Sequence, residues 1–174
     1  MGMLGFFTLN RRAGQGDADR ILAALADRLA PEMRLAGAVQ SNLGPGGDCH
    51  CDMDLRLLGQ PEVVRISQDL GSGAASCRLD AEGLERAAAA VEARIARGAD
   101  LVIVSKFGKQ EALGRGFRST IAVALEHDLP VLLSVPQDHR DAFLAFAGDL
   151  AQEVAPDALA DWCRAAVLKR QPKA

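Results

Sequence analysis

Residues 4–29, LGFFTLNRRAGQGDADRILAALADRL, indicate an α/β fold. The apolar run at 4–9 is typical of a buried strand, and the polar, glycine-containing stretch at 10–16 predicts a loop. Apolar residues then recur at helical spacing from residue 17 to residue 29, with Asp17 or Asp19 available as a helix cap. Because strand, loop and helix in this order begin a βαβ unit, we expect a parallel sheet.

The rest of the chain continues the alternation of strands and helices. A turn signal at residues 59–61 separates two alternating segments, which predicts an antiparallel hairpin. The predicted elements are a strand over 35–40, an inserted hairpin region over about 41–80, a helix over 81–98, a strand over 100–105, a helix over 117–127, a strand over 129–135, and two closing helices, 138–150 and 157–168, within 138–174. We therefore predict a single α/β domain over 1–174, with three layers and a mostly parallel sheet flanked by helices.

Composition excludes several classes of partner. The 174 residues are 49% hydrophobic and 25% charged, with a net charge of −3, which is typical of a globular domain. Aromatic residues make up 4% and tyrosine is absent, so the stacking platforms of single-strand nucleic-acid binders are missing. The apolar runs are far shorter than the ~20 residues of a membrane span. On these grounds we expect contact with neither nucleic acid nor membrane. Because residues 1–9 lack a basic leader, we also expect a cytoplasmic protein.

The loop after the first strand has the register of a phosphate-binding loop, G-x-x-x-x-G-K-[ST], over residues 11–18. Gly14 and Gly16 fit the register, but Arg11, Asp17 and Ala18 replace the leading glycine, the lysine and the hydroxyl residue. One charge at 4 Å is worth about 4 kcal/mol at an effective dielectric of 20, so magnesium-dependent hydrolysis of a nucleoside triphosphate is not expected here. Either Arg11 and Arg12 hold a small anion at the helix amides, or the loop is a capped turn with solvated arginines.

A second candidate lies in residues 105–117, SKFGKQEALGRGF, after the most apolar predicted strand. Lys106, Lys109 and Arg115 stand among glycines that include Gly116, which suits an anionic ligand. The alternative is an ordinary solvated loop. Glu111, in the same loop, is a weak candidate for a catalytic base.

The middle of the chain carries the remaining candidates. Cys49, His50 and Cys51 are adjacent, and Cys77 could join them as a metal ligand. The alternative is that these thiols are buried as small apolar side chains, which is the more common fate of a free cysteine. Asp69 is a second weak candidate for a base. We expect no firm metal site.

Several of these motifs resemble known families. The first strand with its loop, the Gly108-Lys109-Gln110-Glu111 motif and Phe117 are similar to small P-loop nucleoside-triphosphatases, although Ser105 and Lys106 stand where those enzymes have an acidic pair. More closely, residues 51–55, 66–71 with 77–80, and 107–111 with 114–117 resemble an uncharacterised bacterial domain family described as P-loop-NTPase-like. The resemblance covers about residues 3–135 and implies a P-loop-NTPase-like fold.

The resemblance also suggests a class of ligand. Members of that family are often encoded beside genes for molybdate uptake or the molybdenum cofactor, which implies a nucleotide or an oxyanion such as phosphate or molybdate. We therefore expect a binding protein for a small anion or nucleotide that lacks efficient hydrolysis of nucleoside triphosphates. Two alternatives stay open, an enzyme acting on a phosphorylated small molecule or nucleotide, and a regulatory or interaction module with a dead site. A homodimer also stays open.

Overall fold

The computed structural model describes residues 3–14, 16–41, 53–68 and 78–170. The strands are β1 (Leu4–Phe7), β2 (Leu35–Ser41), β3 (Asp54–Leu57), β4 (Val63–Arg65), β5 (Ser67–Gln68), β6 (Arg78–Leu79), β7 (Leu101–Val104), β8 (Val131–Ser134) and β9 (Ala151–Glu153). The α-helices are α1 (Asp17–Leu29), α2 (Ala81–Ala96), α3 (Lys109–Ala112), α4 (Arg118–Glu126), α5 (Arg140–Ala147) and α6 (Leu159–Arg170). Short 3-10 turns flank α5 and precede α6.

One seven-stranded sheet organises the described residues, in the order β4-β3-β2-β7-β8-β1-β9. β2, β7, β8, β1 and β9 run parallel, whereas β3 and β4 are antiparallel to their neighbours. The expected mostly parallel sheet is confirmed. The expected hairpin is also confirmed, and it extends the main sheet beyond β2. β5 and β6 form a separate two-stranded sheet.

Helices cover both faces of the main sheet. Leu22 and Leu29 of α1 share a buried cluster with Cys163 of α6 on one face. On the other face, Val91 of α2 and Ile121 of α4 belong to a second buried cluster, together with side chains of α5. The arrangement has the three layers that the strand-helix alternation predicts, because parallel strands need crossovers that place helices on the sheet faces.

The closing segment differs from the expected pair of helices. α5 spans Arg140–Ala147 and is followed by Gly148, where φ is 54°. The chain then pairs with β1 as the parallel edge strand β9, in the register Leu4 with Ala151. Gln152 and Glu153 are exposed, so this strand has no apolar alternation that could mark it in the sequence. The last helix begins and ends two residues later than expected, at Leu159 and Arg170.

Candidate functional site

The carboxyl ends of β1, β8 and β7 lie side by side, and backbone hydrogen bonds hold their following loops together. The amide of Val135 donates to the Phe7 carbonyl at 2.9 Å, and the amide of Phe107 donates to the Ser134 carbonyl at 2.9 Å. The Ser134 hydroxyl donates to the Ser105 carbonyl at 2.5 Å. This edge is where ligands of open parallel sheets bind, and two clefts lie along it.

The first cleft, here called the loop cleft, has a volume of about 520 Å³. It is bounded by the β1–α1 loop, the first turn of α1, the residue after Ser105, and the segment that follows β8. The residues lining it are Phe7, Leu9, Asn10, Arg11, Ala13, Gly14, Gly16, Ala18, Asp19, Lys106, Ser134, Val135, Pro136, Gln137 and Asp138. Both glycines of the phosphate-loop register therefore lie in its wall.

The β1–α1 loop is held in shape by its own polar groups. The Asn10 side-chain oxygen accepts from the Arg12 amide at 3.0 Å, and the Asn10 carbonyl accepts from the Ala13 amide at 3.0 Å. Gly16 precedes α1 with φ 84°, a left-handed conformation that favours glycine. The Gly16 carbonyl then accepts the Arg20 amide at 3.0 Å. The left-handed conformation of Gly16 therefore connects the loop to the helix.

Asp17 stands where a phosphate-binding loop has lysine, and its carboxylate bonds to the loop itself. Its Oδ2 accepts from the Gly14 amide at 2.6 Å, and its Oδ1 forms an ion pair with the Arg20 guanidinium. A carboxylate at the first turn of a helix is favoured by the helix dipole. An internal anion thus holds an amide of the loop that an external anion would otherwise reach.

Asp19 and Lys106 set the electrostatics of the loop cleft. Burial raises the pKa of the Asp19 carboxyl, and the Lys106 ammonium and then Arg20 partly oppose that rise. Lys106 also acts to lower the pKa of Glu111. The Lys106 ammonium therefore interacts electrostatically with the carboxyl groups of both Asp19 and Glu111. Asp19 lines the loop cleft, although the sequence predicts it only as a candidate helix cap. No other feature of the sequence indicates that Asp19 belongs to a site.

The second cleft, here called the hairpin cleft, has a volume of about 500 Å³. It lies between the β3–β4 hairpin, the start of α2, and the segment 105–111. The residues lining it are Gln40, Met53, Leu55, Ile66, Leu79, Leu84, Ser105, Lys106, Gly108, Lys109, Gln110, Glu111 and Phe117. Lys106 lines both clefts.

Glu111 is buried and bonds to the backbone of its own loop. Its Oε2 accepts from the Gly108 amide at 3.0 Å, and its Oε1 accepts from the Phe117 amide at 3.2 Å. Burial raises the pKa of this carboxyl, although these amides act to lower it. At Gly116, where φ is +60°, a Cβ would lie 2.5 Å from Oε1. Position 116 therefore requires glycine. Gly116 and the hydrogen bonds of Glu111 together determine the shape of the segment 108–117.

The predicted ligand-binding residues divide into three groups. Arg11, Gly14, Gly16 and Lys106 come together in the loop cleft. Lys109 is exposed and lines the hairpin cleft, as does the candidate base Glu111. The lining of these two clefts does not include Arg12, Arg115 or Gly116. Arg12 and Arg115 are exposed, and Gly116 is buried with its amide donating to Glu85 at 2.7 Å.

The other predicted candidates, Asp69 and the metal-ligand set Cys49, His50, Cys51 and Cys77, lie outside the described residues. Among the residues that the structure describes, no group of three His, Cys, Asp or Glu side chains could hold a metal ion.

A third cavity of about 600 Å³ lies at the opposite, amino edge of β2 and β7. Two of its three arginines have carboxylate partners, whereas Arg94 donates to the Gly98 carbonyl at 3.0 Å and its Nε is buried without a hydrogen-bond partner among the described residues. Arg34 pairs with Asp100 at 2.9 Å, and Arg56 pairs with Asp27 at 2.8 Å. The cavity lies away from the loops that follow the parallel strands, where ligands of such sheets bind, so it is not the candidate site.

The chain is similar in sequence to a protein family and to part of a longer protein. Residues 9–162 match the family described as "Protein of unknown function (DUF2478)". Over 137 residues, 78% of this chain, the sequence is 41% identical to the Molybdenum import ATP-binding protein ModC 2 of Bradyrhizobium diazoefficiens, of which the match spans 15%. The chain thus covers a small part of that relative.

The fold has a counterpart among solved structures. The crystal structure of THEP1 from the hyperthermophile Aquifex aeolicus superposes with a TM-score of 0.61 over 97% of this chain and 99% of that one, at 14% sequence identity. The expected P-loop-NTPase-like fold is confirmed. In the described part of the chain, no helix is both long and apolar enough to cross a membrane.

Proposed function

The chain belongs to the DUF2478 family, and we propose that it binds a small oxyanion, or the phosphate group of a nucleotide, in the loop cleft without efficient hydrolysis of nucleoside triphosphates. The observation that carries the proposal is the meeting of Arg11 and Lys106 with the two loop glycines in one cleft of about 520 Å³. Cations beside loop amides at a helix start are the usual elements of an anion site.

The same site is poorly equipped for hydrolysis. Magnesium in phosphoryl-transfer enzymes is held by a hydroxyl of the loop and by carboxylates near the phosphates. Here Ala18 replaces the hydroxyl residue, and Ser105 and Lys106 occupy the positions of the acidic pair. Asp17 replaces the lysine and bonds to the Gly14 amide instead. These replacements support binding without turnover.

The relative in Bradyrhizobium supports an oxyanion as the ligand. A segment similar to this chain makes up 15% of a protein named for molybdenum import and ATP binding. We infer that molybdate, a tetrahedral oxyanion like phosphate, belongs in the panel of ligands for the loop cleft. On the same ground we propose that the protein works in the cytoplasm, beside the ATP-binding component of a molybdate importer.

A thermal-shift panel tests the proposal directly. Metal-stripped protein is heated with ATP, GTP, phosphate, sulfate, molybdate or tungstate, each with and without magnesium. A ligand at 100 times its Kd stabilises the fold by about 2.7 kcal/mol, or very roughly 5–10 °C in Tm. We expect at least one of these ligands to raise Tm without requiring magnesium. In a separate assay of ATP hydrolysis, we expect no release of phosphate.

The adjacent arginines provide a matched pair of variants. Arg11 and Arg12 are both exposed, and only Arg11 lines the loop cleft. Arg11→Ala is expected to reduce the ligand-induced shift, whereas Arg12→Ala is expected to keep it. Magnesium-dependent release of phosphate from ATP would instead favour an enzyme, and a flat response to every ligand would favour a regulatory or interaction module.

A further inference from the structure

The loop cleft and the hairpin cleft lie on either side of one residue. Lys106 lines both of them, and Ser105, next to it, lines the hairpin cleft while its carbonyl accepts the hydroxyl of Ser134 from the loop cleft. The two clefts therefore share Lys106 as a wall residue, and a ligand that contacts Lys106 in one cleft lies near the other. The two spaces, of about 520 and 500 Å³, are each within the range of small-molecule sites.

The walls of the hairpin cleft differ from those of the loop cleft. Its inner surface is apolar, with Leu55, Ile66 and Phe117 almost fully buried beneath it. Its rim carries the exposed Lys109 and the half-buried Gln110. This combination suits a compact apolar or aromatic group that presents a few polar atoms to the rim.

The carboxylate in this wall, that of Glu111, is held by backbone amides. Both oxygens of Glu111 accept backbone amides, from Gly108 and Phe117. The ammonium groups of Lys106 and Lys109 line the same cleft as this carboxylate. A phosphorylated molecule thus meets the cation Lys106 where the two clefts share a wall, and apolar surface beyond it.

We propose that the hairpin cleft is a second subsite, which binds the organic part of a phosphorylated ligand whose phosphate lies in the loop cleft against Lys106. This inference rests on the proposed function and narrows it, because the ligand class becomes a phosphorylated compound with a compact aromatic or apolar body, as in a nucleotide. A free oxyanion uses only the loop cleft.

Calorimetric titration with two probes, AMP and inorganic phosphate, tests the second subsite. Gln110→Trp fills the hairpin cleft from its rim and leaves the loop cleft unchanged. Leu113→Trp is the matched control, because Leu113 lies in the same loop, is 58% exposed and is outside the lining of both clefts. We expect the wild type to bind AMP at least tenfold more tightly than phosphate.

The expected pattern among the variants is specific. Gln110→Trp should weaken AMP binding at least tenfold and change phosphate binding less than twofold, whereas Leu113→Trp should change neither. Amide NMR spectra give an independent readout, since AMP should shift the signals of Met53 and Gln110 and phosphate should not. Folding of both variants is checked by the dispersion of the same spectra.

Two results would overturn the proposal in different ways. If phosphate binds but AMP binds no more tightly, or if AMP shifts only signals of the loop cleft, the second subsite is wrong and the anion site stands. If neither AMP nor phosphate binds the wild type, the second subsite is wrong, and the proposed function is wrong as well when every other ligand of the thermal-shift panel also fails to bind.

Discussion

At the scale of single residues, Asp17 decides how the β1–α1 loop behaves. A lysine at this position would attract phosphate, whereas Asp17 places a carboxylate 2.6 Å from the Gly14 amide and in an ion pair with Arg20. The loop therefore keeps the shape of an anion site while carrying an anion of its own. An external anion has to compete with this carboxylate for the loop amide and against its charge.

Asp17→Asn is expected to strengthen binding of inorganic phosphate about tenfold, which corresponds to ~1.4 kcal/mol. The amide side chain still accepts a hydrogen bond at the helix start but removes the negative charge. Titration calorimetry measures the change. Asp27→Asn, an exposed substitution in the same helix and outside the loop cleft, is the control and should leave binding unchanged. Equal or weaker binding in Asp17→Asn would contradict a competing carboxylate.

Asp19 predicts a pH dependence of stability. Burial raises the pKa of its carboxyl above the ordinary value of 3.8. At pH values between 3.8 and the raised pKa, the folded chain therefore binds more protons than the unfolded chain. The free energy of unfolding therefore falls as pH rises from 3.8 to the raised pKa. Above the raised pKa, Asp19 causes no further change. Glu111, also with a raised pKa, acts in the same direction.

Asp19→Asn isolates the contribution of Asp19 from that of Glu111. Urea unfolding from pH 3.5 to 8 should show a smaller loss of stability in the variant. The free energy of unfolding of the variant should therefore increase relative to that of the wild type as pH rises. Curves that stay parallel across this range would show that Asp19 is not penalised by burial. Phosphate binding by the variant should also tighten, because a carboxylate has left the wall of the cleft.

Glu111 is expected to position its loop rather than to accept a proton from a substrate. Glu111→Ala leaves the amides of Gly108 and Phe117 without their acceptor, at a cost of about 1–3 kcal/mol in unfolding free energy. Glu111→Gln retains one oxygen acceptor and should cost less. Urea unfolding of the three proteins measures the order. Two equally stable variants would contradict the positioning role.

At the scale of secondary-structure elements, the local sequence predicts some segments well and others not at all. α1 runs over Asp17–Leu29 as predicted, because an apolar stripe and acidic residues at its start act together. β9 and α3 were not predicted. β9 is three residues joined to β1 through backbone hydrogen bonds, and α3 is a single turn shaped by the Glu111 carboxylate. Local patterns carry neither kind of information.

The contact of α6 with β1 gives a prediction at this scale. A Cβ at Gly5 would lie 2.7 Å from ring carbons of Trp162, so the ring packs directly on the strand backbone. Gly5→Ala is expected to cost about 1–3 kcal/mol through overpacking. Gly5→Ala combined with Trp162→Leu should be more stable than the sum of the single changes, by at least ~0.5 kcal/mol. Additive effects in denaturant unfolding would contradict this contact.

At the scale of the whole molecule, sheet order determines which loops meet. The sequence could predict that loops after β1 and β7 carry cations, and Arg11 and Lys106 do line one cleft. It could not predict that β8 lies between those strands, or that the β3–β4 hairpin and α2 form the walls of the hairpin cleft. Those features depend on pairing between distant segments, and so does the absence of Arg115 from the lining of both clefts.

Titration of phosphate and molybdate into the wild type and into Lys106→Ala, by calorimetry without magnesium, tests whether the loop cleft binds oxyanions at Lys106. Lys109→Ala is the matched control, because it removes an ammonium from the same segment but only from the hairpin cleft. We expect saturable binding to the wild type, at least tenfold weaker binding to Lys106→Ala, and nearly unchanged binding to Lys109→Ala. Equal binding by the wild type and Lys106→Ala, or none by the wild type, would show that Lys106 does not hold an oxyanion in the loop cleft.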